Sequence, residues 1–214
     1  RFIIIDKPIK ILSLLNLRSE TRLIMLNSSV FPAFREMLAL KYRLKYEGQY
    51  NKMINNVKPG LIQLPSHNLL RIYRETYGFN SYTDLSCTGS CISDIYFDPE
   101  YAEKSRAEVN KLFPHLKNKK FILYMPKSRY RNKKSKYEEL ISMTRLSKLL
   151  KDKYFVAIYH DGEYFGKMVR NKEKIKGFSY NVTGKVSLRT LLLAADIIVG
   201  DYRNIFYEAA FIHK

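Results

Sequence analysis

With 214 residues the chain can bury a real core, as one large domain or two partial ones, and 46% hydrophobic with 14% aromatic content argues against disorder. Its 38 Lys and Arg against 20 Asp and Glu give a formal charge of +18, which implies an anionic partner or surface: nucleic acid, anionic lipid or a polyanionic substrate. No apolar run of about 18 residues encodes a transmembrane helix, and Phe2-Ile3-Ile4-Ile5 meets Asp6 too soon for a signal peptide.

Residues 1–7 read as a strand ended by Pro8, residues 9–17 as a helix, Arg18-Ser19-Glu20 as a turn, and residues 21–26 as a second buried strand. Strand–helix–strand alternation with short links predicts parallel α/β packing. Residues 33–46 carry Leu38, Leu40 and Leu44 among Arg35, Lys41, Arg43 and Lys45. That pattern suits either a solvated helix face or a basic helix lying on an anionic membrane. A polar loop over 47–60 leads to a strand at 61–64 and a helix at 68–77 closed by Gly78. Cys87 and Cys91 have no ligand cluster around them for zinc, and are expected as two free or buried thiols in a reducing compartment.

Residues 100–113 predict a helix in which Glu100 precedes Lys104 at the favourable i,i+4 order. A strand at 121–124 is followed by Met125-Pro126-Lys127-Ser128-Arg129 and further basic residues Arg131, Lys133, Lys134 and Lys136. The run reads as a solvated loop or, since it leaves the carboxyl end of a strand, as a ligand loop. The planar guanidinium fork of Arg129 suits phosphate. Residues 137–151 predict a helix, and a strand at 154–159 delivers His160-Asp161. That histidine reads as a surface residue or as a phosphate contact, its imidazolium favoured by the adjoining carboxylate. A further strand is expected at 177–182.

The most informative stretch is residues 187–208. Ser187 has N-cap chemistry, and Leu188, Leu191, Leu192 and Ala195 fall on one helical face. The β-branched run Asp196-Ile197-Ile198-Val199-Gly200 suits a buried parallel strand. Asp201-Tyr202-Arg203-Asn204 then opens a second helix through Phe206, Ala209, Ala210 and Phe211. A helix N-terminus at the carboxyl end of such a strand favours an anion; the alternative is an ordinary βα turn whose Asp caps a helix.

These residues resemble the CDP-glycerol glycerophosphotransferase family, the teichoic-acid and capsule polymerases and primases with a GT-B fold. Ala195-Asp196, Asp201-Tyr202, Phe206 and Glu208 match its ADILITDYSSIFFD/E signature, with Arg203 and Asn204 replacing two serines that sit at the donor's pyrophosphate. Ile5-Asp6, Pro8, Leu15-Asn16-Leu17-Arg18, Glu20-Thr21 and Ala33-Phe34-Arg35 resemble an earlier family segment. Within it Asn27-Ser28 stand where the family has Trp-His, the histidine being held to deprotonate the acceptor hydroxyl. Neither Asn nor Ser accepts a proton near neutral pH, and general-base help contributes ~10²–10⁴ in rate. His67, the nearest histidine in sequence, follows the strand at 61–64 as a helix-start residue. Gly89 and Asp94 keep the family's TGxPRxD turn, with Cys91 and Ile92 for its Pro and Arg. Arg129 occupies the position of the arginine in ILYAPTFR, and His160 that of the histidine in the HP motif.

The resemblance implies an α/β, GT-B-like fold of two Rossmann-like halves facing a cleft, both incomplete in a partial chain. The acceptor-side half would be 1–98 and the CDP-binding donor half 99–214. The implied reaction transfers glycerol-phosphate or ribitol-phosphate from a CDP-activated donor to a polyol-phosphate acceptor in teichoic acid or capsule biosynthesis. By resemblance His160 is catalytic, with Arg129 at the donor diphosphate. Asp201, Arg203 and Asn204 lie at the pyrophosphate turn, and Glu208 at the ribose or polyol hydroxyls. No metal or separate cofactor is implied beyond the substrate CDP-glycerol or CDP-ribitol. The expected partners are that donor, an anionic polyol-phosphate or lipid-linked acceptor and the anionic inner leaflet. The expected location is cytoplasmic, peripheral on the inner membrane face. No RRM, KH or zinc pattern supports a nucleic-acid partner. The lost Trp-His and the two lost serines keep open a second reading, a catalytically impaired relative that binds nucleotide, polymer or a partner protein.

Overall fold

Short apolar strands build two parallel sheets. The structure, a computed structural model, describes residues 1–6, 18–26, 59–77, 83–114, 118–126, 141–160, 174–201 and 205–212. The chain divides into two compact units, Arg1–Asp94 and Ile95–Lys214. The sequence reading set that division at 98/99, whereas the structure assigns Ile95 to Asp98 to the second unit. The reason is aromatic packing: Tyr96 and Phe97 lie against Phe211, with ring centroids 6.4 and 5.9 Å away.

Unit 1 contains β1 (Phe2–Ile5), β2 (Arg22–Leu26), β3 (Leu61–Gln63) and β4 (Asp84–Ser86), parallel and in the order β1-β2-β3-β4. Ile5 pairs with Met25, Met25 with Ile62 and Ile62 with Leu85, so one apolar row crosses the sheet. Leu69 and Tyr73 of α1 (Asn68–Tyr77) pack on that row. Sequence reading missed β4. Its three residues hold one apolar side chain, Leu85, and only the partner strand gives it a place.

Unit 2 contains α2 (Pro99–Leu112), β5 (Lys120–Met125), α3 (Met143–Leu150), β6 (Tyr154–Ile158), β7 (Ser179–Asn181), α4 (Leu188–Ala194), β8 (Ile197–Gly200) and α5 (Ile205–Phe211). Its strands are all parallel, in the order β7-β6-β5-β8. Phe121 to Met125 are buried without interruption, as befits a central parallel strand covered on both faces. Alternate residues serve opposite faces. Phe121, Leu123 and Met125 meet Val109 of α2, Leu191 and Leu192 of α4 and Ala209 of α5. Ile122 and Tyr124 meet Met143 of α3 and Phe178.

Local capping sets the helix starts. The Asp98 carboxylate accepts from the amides of Glu100 (2.9 Å) and Tyr101 (3.3 Å), with Pro99 at the first helical position of α2. Ser187 accepts from the Thr190 amide at 3.0 Å and opens α4 as its N-cap chemistry predicts. Ser142 caps α3, so that helix begins at Met143, and residues 137–140 of the expected helix lie outside the described residues. Glu100 and Lys104 form the expected i,i+4 pair at 3.0 Å.

Candidate functional site

In unit 2 the chain runs outward through β5, β6 and β7, then returns to add β8 on the far side of β5. The helices that follow β5 and β8, α3 and α5, pack on opposite faces of the sheet, so the strand order reverses between these two strands. In open α/β sheets this switch point is where ligands bind. The register defines the edge: Tyr124 pairs with both Ile158 and Val199, and Met125 pairs with Gly200. Pro126, Tyr159-His160 and Asp201, the residues that follow, thus share one side of the sheet.

His160 is half-buried, and its position is set through its backbone. Its amide donates to Thr183 Oγ1 at 2.9 Å, and the Thr183 amide donates to Asn181 Oδ1 at 3.1 Å. The turn after β7 thereby anchors the residue after β6. Tyr159 and Val182 extend the ladders on either side, donating to the carbonyls of Tyr124 (2.9 Å) and Ile158 (3.0 Å).

Gly200 brings β8 against β5 at the switch point. A Cβ there would stand 2.8 Å from the Met125 carbonyl oxygen and 3.1 Å from Phe206 Cζ, closer than side-chain carbons approach backbone. Gly200 is therefore required by close approach, a role that sequence reading missed in treating it as a strand boundary. Half-buried Asp201 comes next.

The other aspartate of the signature does a different job. Asp196 precedes β8 at the amino-terminal end, where its Oδ2 accepts from the Phe121 amide at 2.7 Å and its Oδ1 pairs with Arg106 Nη2 at 2.9 Å. It ties α2 to the starts of β5 and β8. The distinction between Asp196 and Asp201 is visible only in three dimensions.

Glu208 lies in α5 and is 8% exposed. Its Oε2 accepts from the Tyr96 phenol and from Arg189 Nε, the latter at 3.3 Å. Burial, reinforced by the hydrogen bond to Glu208, pushes the Tyr96 phenol well above its ordinary value of 10.0. Tyr96 and Arg189 were missed by sequence reasoning, and no local pattern marks either.

Gly89 adopts φ +90°, a conformation that favours glycine, and the Ser90 carbonyl accepts from the Ser93 amide (3.0 Å) and hydroxyl. Asp94 opens a 3₁₀ turn, Asp94–Tyr96. Both residues belong to unit 1, as does exposed His67, whose carbonyl accepts from the Leu70 amide at 3.1 Å. Cys87 and Cys91 are free thiols. Arg129, Arg203, Asn204, Asn27, Ser28 and Asp161 lie outside the described residues. Of the assigned donor residues, the structure thus brings His160 and Asp201 to one edge and turns Glu208 toward Tyr96 and Arg189.

The profile of the CDP-Glycerol:Poly(glycerophosphate) glycerophosphotransferase family matches residues 38–214. The chain belongs to this family. Among similar proteins is the teichoic acid poly(ribitol-phosphate) polymerase of Bacillus spizizenii, 28% identical over 156 residues, covering 70% of this chain and 24% of that protein. The teichoic acid ribitol-phosphate polymerase TarL of Staphylococcus aureus is 22% identical over 172 residues, covering 79% of this chain and 30% of its own length. A solved structure of the wall teichoic acid polymerase TagF matches with a TM-score of 0.61 at 17% identity, over 94% of this chain and 50% of that one. A variant of TagF matches with a TM-score of 0.67 at 16% identity, over 100% of this chain and 52% of its own. The fold is thus the GT-B-like fold of that polymerase, and the chain spans about a quarter to a third of these curated relatives.

Proposed function

We propose that the full-length protein transfers glycerol-phosphate or ribitol-phosphate from a CDP-activated donor to a polyol-phosphate acceptor, in teichoic acid or capsule biosynthesis. The observation that carries this reading is the shared carboxyl edge of β5, β6 and β8, with His160 and Asp201 on it, in a member of this family. Unit 2 would hold the donor and unit 1 the acceptor.

In the reaction an acceptor hydroxyl oxygen attacks the phosphorus that bears the polyol. The bond from that phosphorus to the bridging oxygen breaks, and CMP departs with the electron pair. The acceptor proton passes to a base or to water. Little covalent chemistry is asked of the protein, so positioning and charge stabilisation supply most of the rate. His160 would donate to the diphosphate, with Arg129 beside it. Arg203 and Asn204 would meet the pyrophosphate from the turn at Asp201. Glu208, held by Tyr96 and Arg189, would reach donor hydroxyls only through the oxygen those two leave available.

The polyol-phosphate acceptor is itself polyanionic or lipid-linked, which supports work at the inner face of the membrane beside anionic lipid, and a charge of +18 favours such surroundings. Among the described residues no helix is long and apolar enough to cross a membrane. A second reading is favoured by Asn27-Ser28 in place of Trp-His: a relative that binds CDP donor or polymer without efficient transfer. Turnover of radiolabelled CDP-glycerol and CDP-ribitol with a lipid-linked acceptor separates the two. Release of CMP with polymer growth supports transfer; saturable CDP binding without release leaves only the binding module.

A further inference from the structure

Transfer to a hydroxyl requires a group that takes the acceptor's proton, and Asn27-Ser28 supply none near neutral pH. Unit 1 offers candidates at the carboxyl edge of its own sheet. Leu26, the residue before Asn27, pairs with Gln63, and Gln63 pairs with Ser86. The Leu64 amide donates to the Ser86 carbonyl at 2.7 Å. β2, β3 and β4 therefore end level with one another, and the segments that follow them leave from one edge. Among the described residues, the first titratable side chain after β1 is Asp6, after β3 His67 and after β4 Cys87. Cys87 packs against the unit's core. Of the three residue types, imidazole is the one suited to take a proton near neutral pH, where general-base catalysis is most efficient.

His67 is held through its backbone. Leu69 and Tyr73 bury α1 against the sheet. Just ahead of that helix the Ser66 carbonyl accepts from the Leu69 amide (3.2 Å) and the His67 carbonyl from the Leu70 amide (3.1 Å). The side chain, by contrast, is exposed and hydrogen-bonds to none of the described residues, so its ring nitrogens are available to a substrate. We propose that His67 is the catalytic base of the transfer. The inference rests on the transferase reading above and supplies the base that it leaves open. As the acceptor oxygen attacks the phosphorus, its proton passes to an imidazole nitrogen. The bond from phosphorus to the bridging oxygen breaks, and CMP leaves with the electron pair. The imidazolium then gives its proton to water. With this base in place, Asn27-Ser28 do not argue against efficient transfer.

The test is CMP release by the full-length protein from radiolabelled CDP-glycerol and CDP-ribitol, with a lipid-linked polyol-phosphate acceptor. His67→Ala and His67→Gln should each lower kcat by ~10²–10⁴-fold. Because the side chain is exposed, both variants should keep the wild-type unfolding midpoint and the wild-type affinity for CDP. Imidazole added to the solution should return part of the rate to His67→Ala and leave the wild type unchanged, a rescue that a structural role would not allow. Undiminished turnover by His67→Ala would overturn this assignment and leave the transferase reading standing. So would a slowed variant that melts early and gains nothing from imidazole. A wild-type protein that binds CDP saturably and releases no CMP would overturn the transferase reading, and the base assignment with it.

Discussion

The phenol of Tyr96 donates a hydrogen bond to Oε2 of Glu208, 112 residues farther along the chain. Arg189 Nε donates to the same oxygen at 3.3 Å. A family-signature carboxylate is thereby held by two protein donors, and α5 is fixed to the start of α4 and to the 3₁₀ turn ahead of α2. Truncating a donor to a buried carboxylate leaves that charge under-solvated. Tyr96→Phe should therefore lower unfolding stability by about 1–3 kcal/mol in a denaturant titration.

The same contact predicts alkaline sensitivity. Burial first, then the Glu208 hydrogen bond, raises the phenol above its ordinary 10.0. The folded state therefore keeps the phenolic proton at pH values where the unfolded chain has lost it. Its contribution is complete below pH 10.0 and declines as pH climbs from there toward the folded-state value. Unfolding curves measured on either side of that pH should show a steeper alkaline loss for the wild type than for Tyr96→Phe.

Gly200 offers a test of the switch-point geometry. Because a Cβ would meet the Met125 carbonyl oxygen at 2.8 Å, Gly200→Ala must push β8 from β5. A loss of about 1–3 kcal/mol is expected, as for other overpacked sites. Donor affinity should fall with it, since the carboxyl ends of these two strands form the proposed donor edge. Thermal unfolding together with CDP binding by calorimetry reads both effects.

Asp196 and Asp201, five positions apart in one signature, should separate cleanly. Asp196→Ala removes the acceptor for the Phe121 amide and the partner of Arg106, and should lower stability by about 1–3 kcal/mol. Asp201→Ala should lower CDP-donor turnover about tenfold or more. Steady-state kinetics beside thermal melts distinguishes the two.

What the sequence made legible was short-range or compositional. Ser187 caps α4 three residues ahead of Thr190, a local contact that spacing reveals. The apolar run of β5 reads as a parallel strand because both its faces are covered. β4 was invisible because Asp84-Leu85-Ser86 becomes a strand only beside β3. The division at Asp94 was set by the packing of Tyr96 and Phe97 on Phe211, more than a hundred residues away, and no local signal carries such a partner. Likewise Glu208 read as a ligand contact from its motif, while its protein donors come from two distant elements.

The central claim is that the carboxyl edge of the unit 2 sheet receives the donor diphosphate. A crystal structure of the full-length protein soaked with CDP-glycerol tests it most directly. The account predicts the diphosphate beside the ends of β5 and β8, with the His160 imidazole about 2.7–3.2 Å from a phosphate oxygen and the backbone at Asp201 along it. A nucleotide bound elsewhere on the molecule, with His160 and Asp201 untouched, would contradict it.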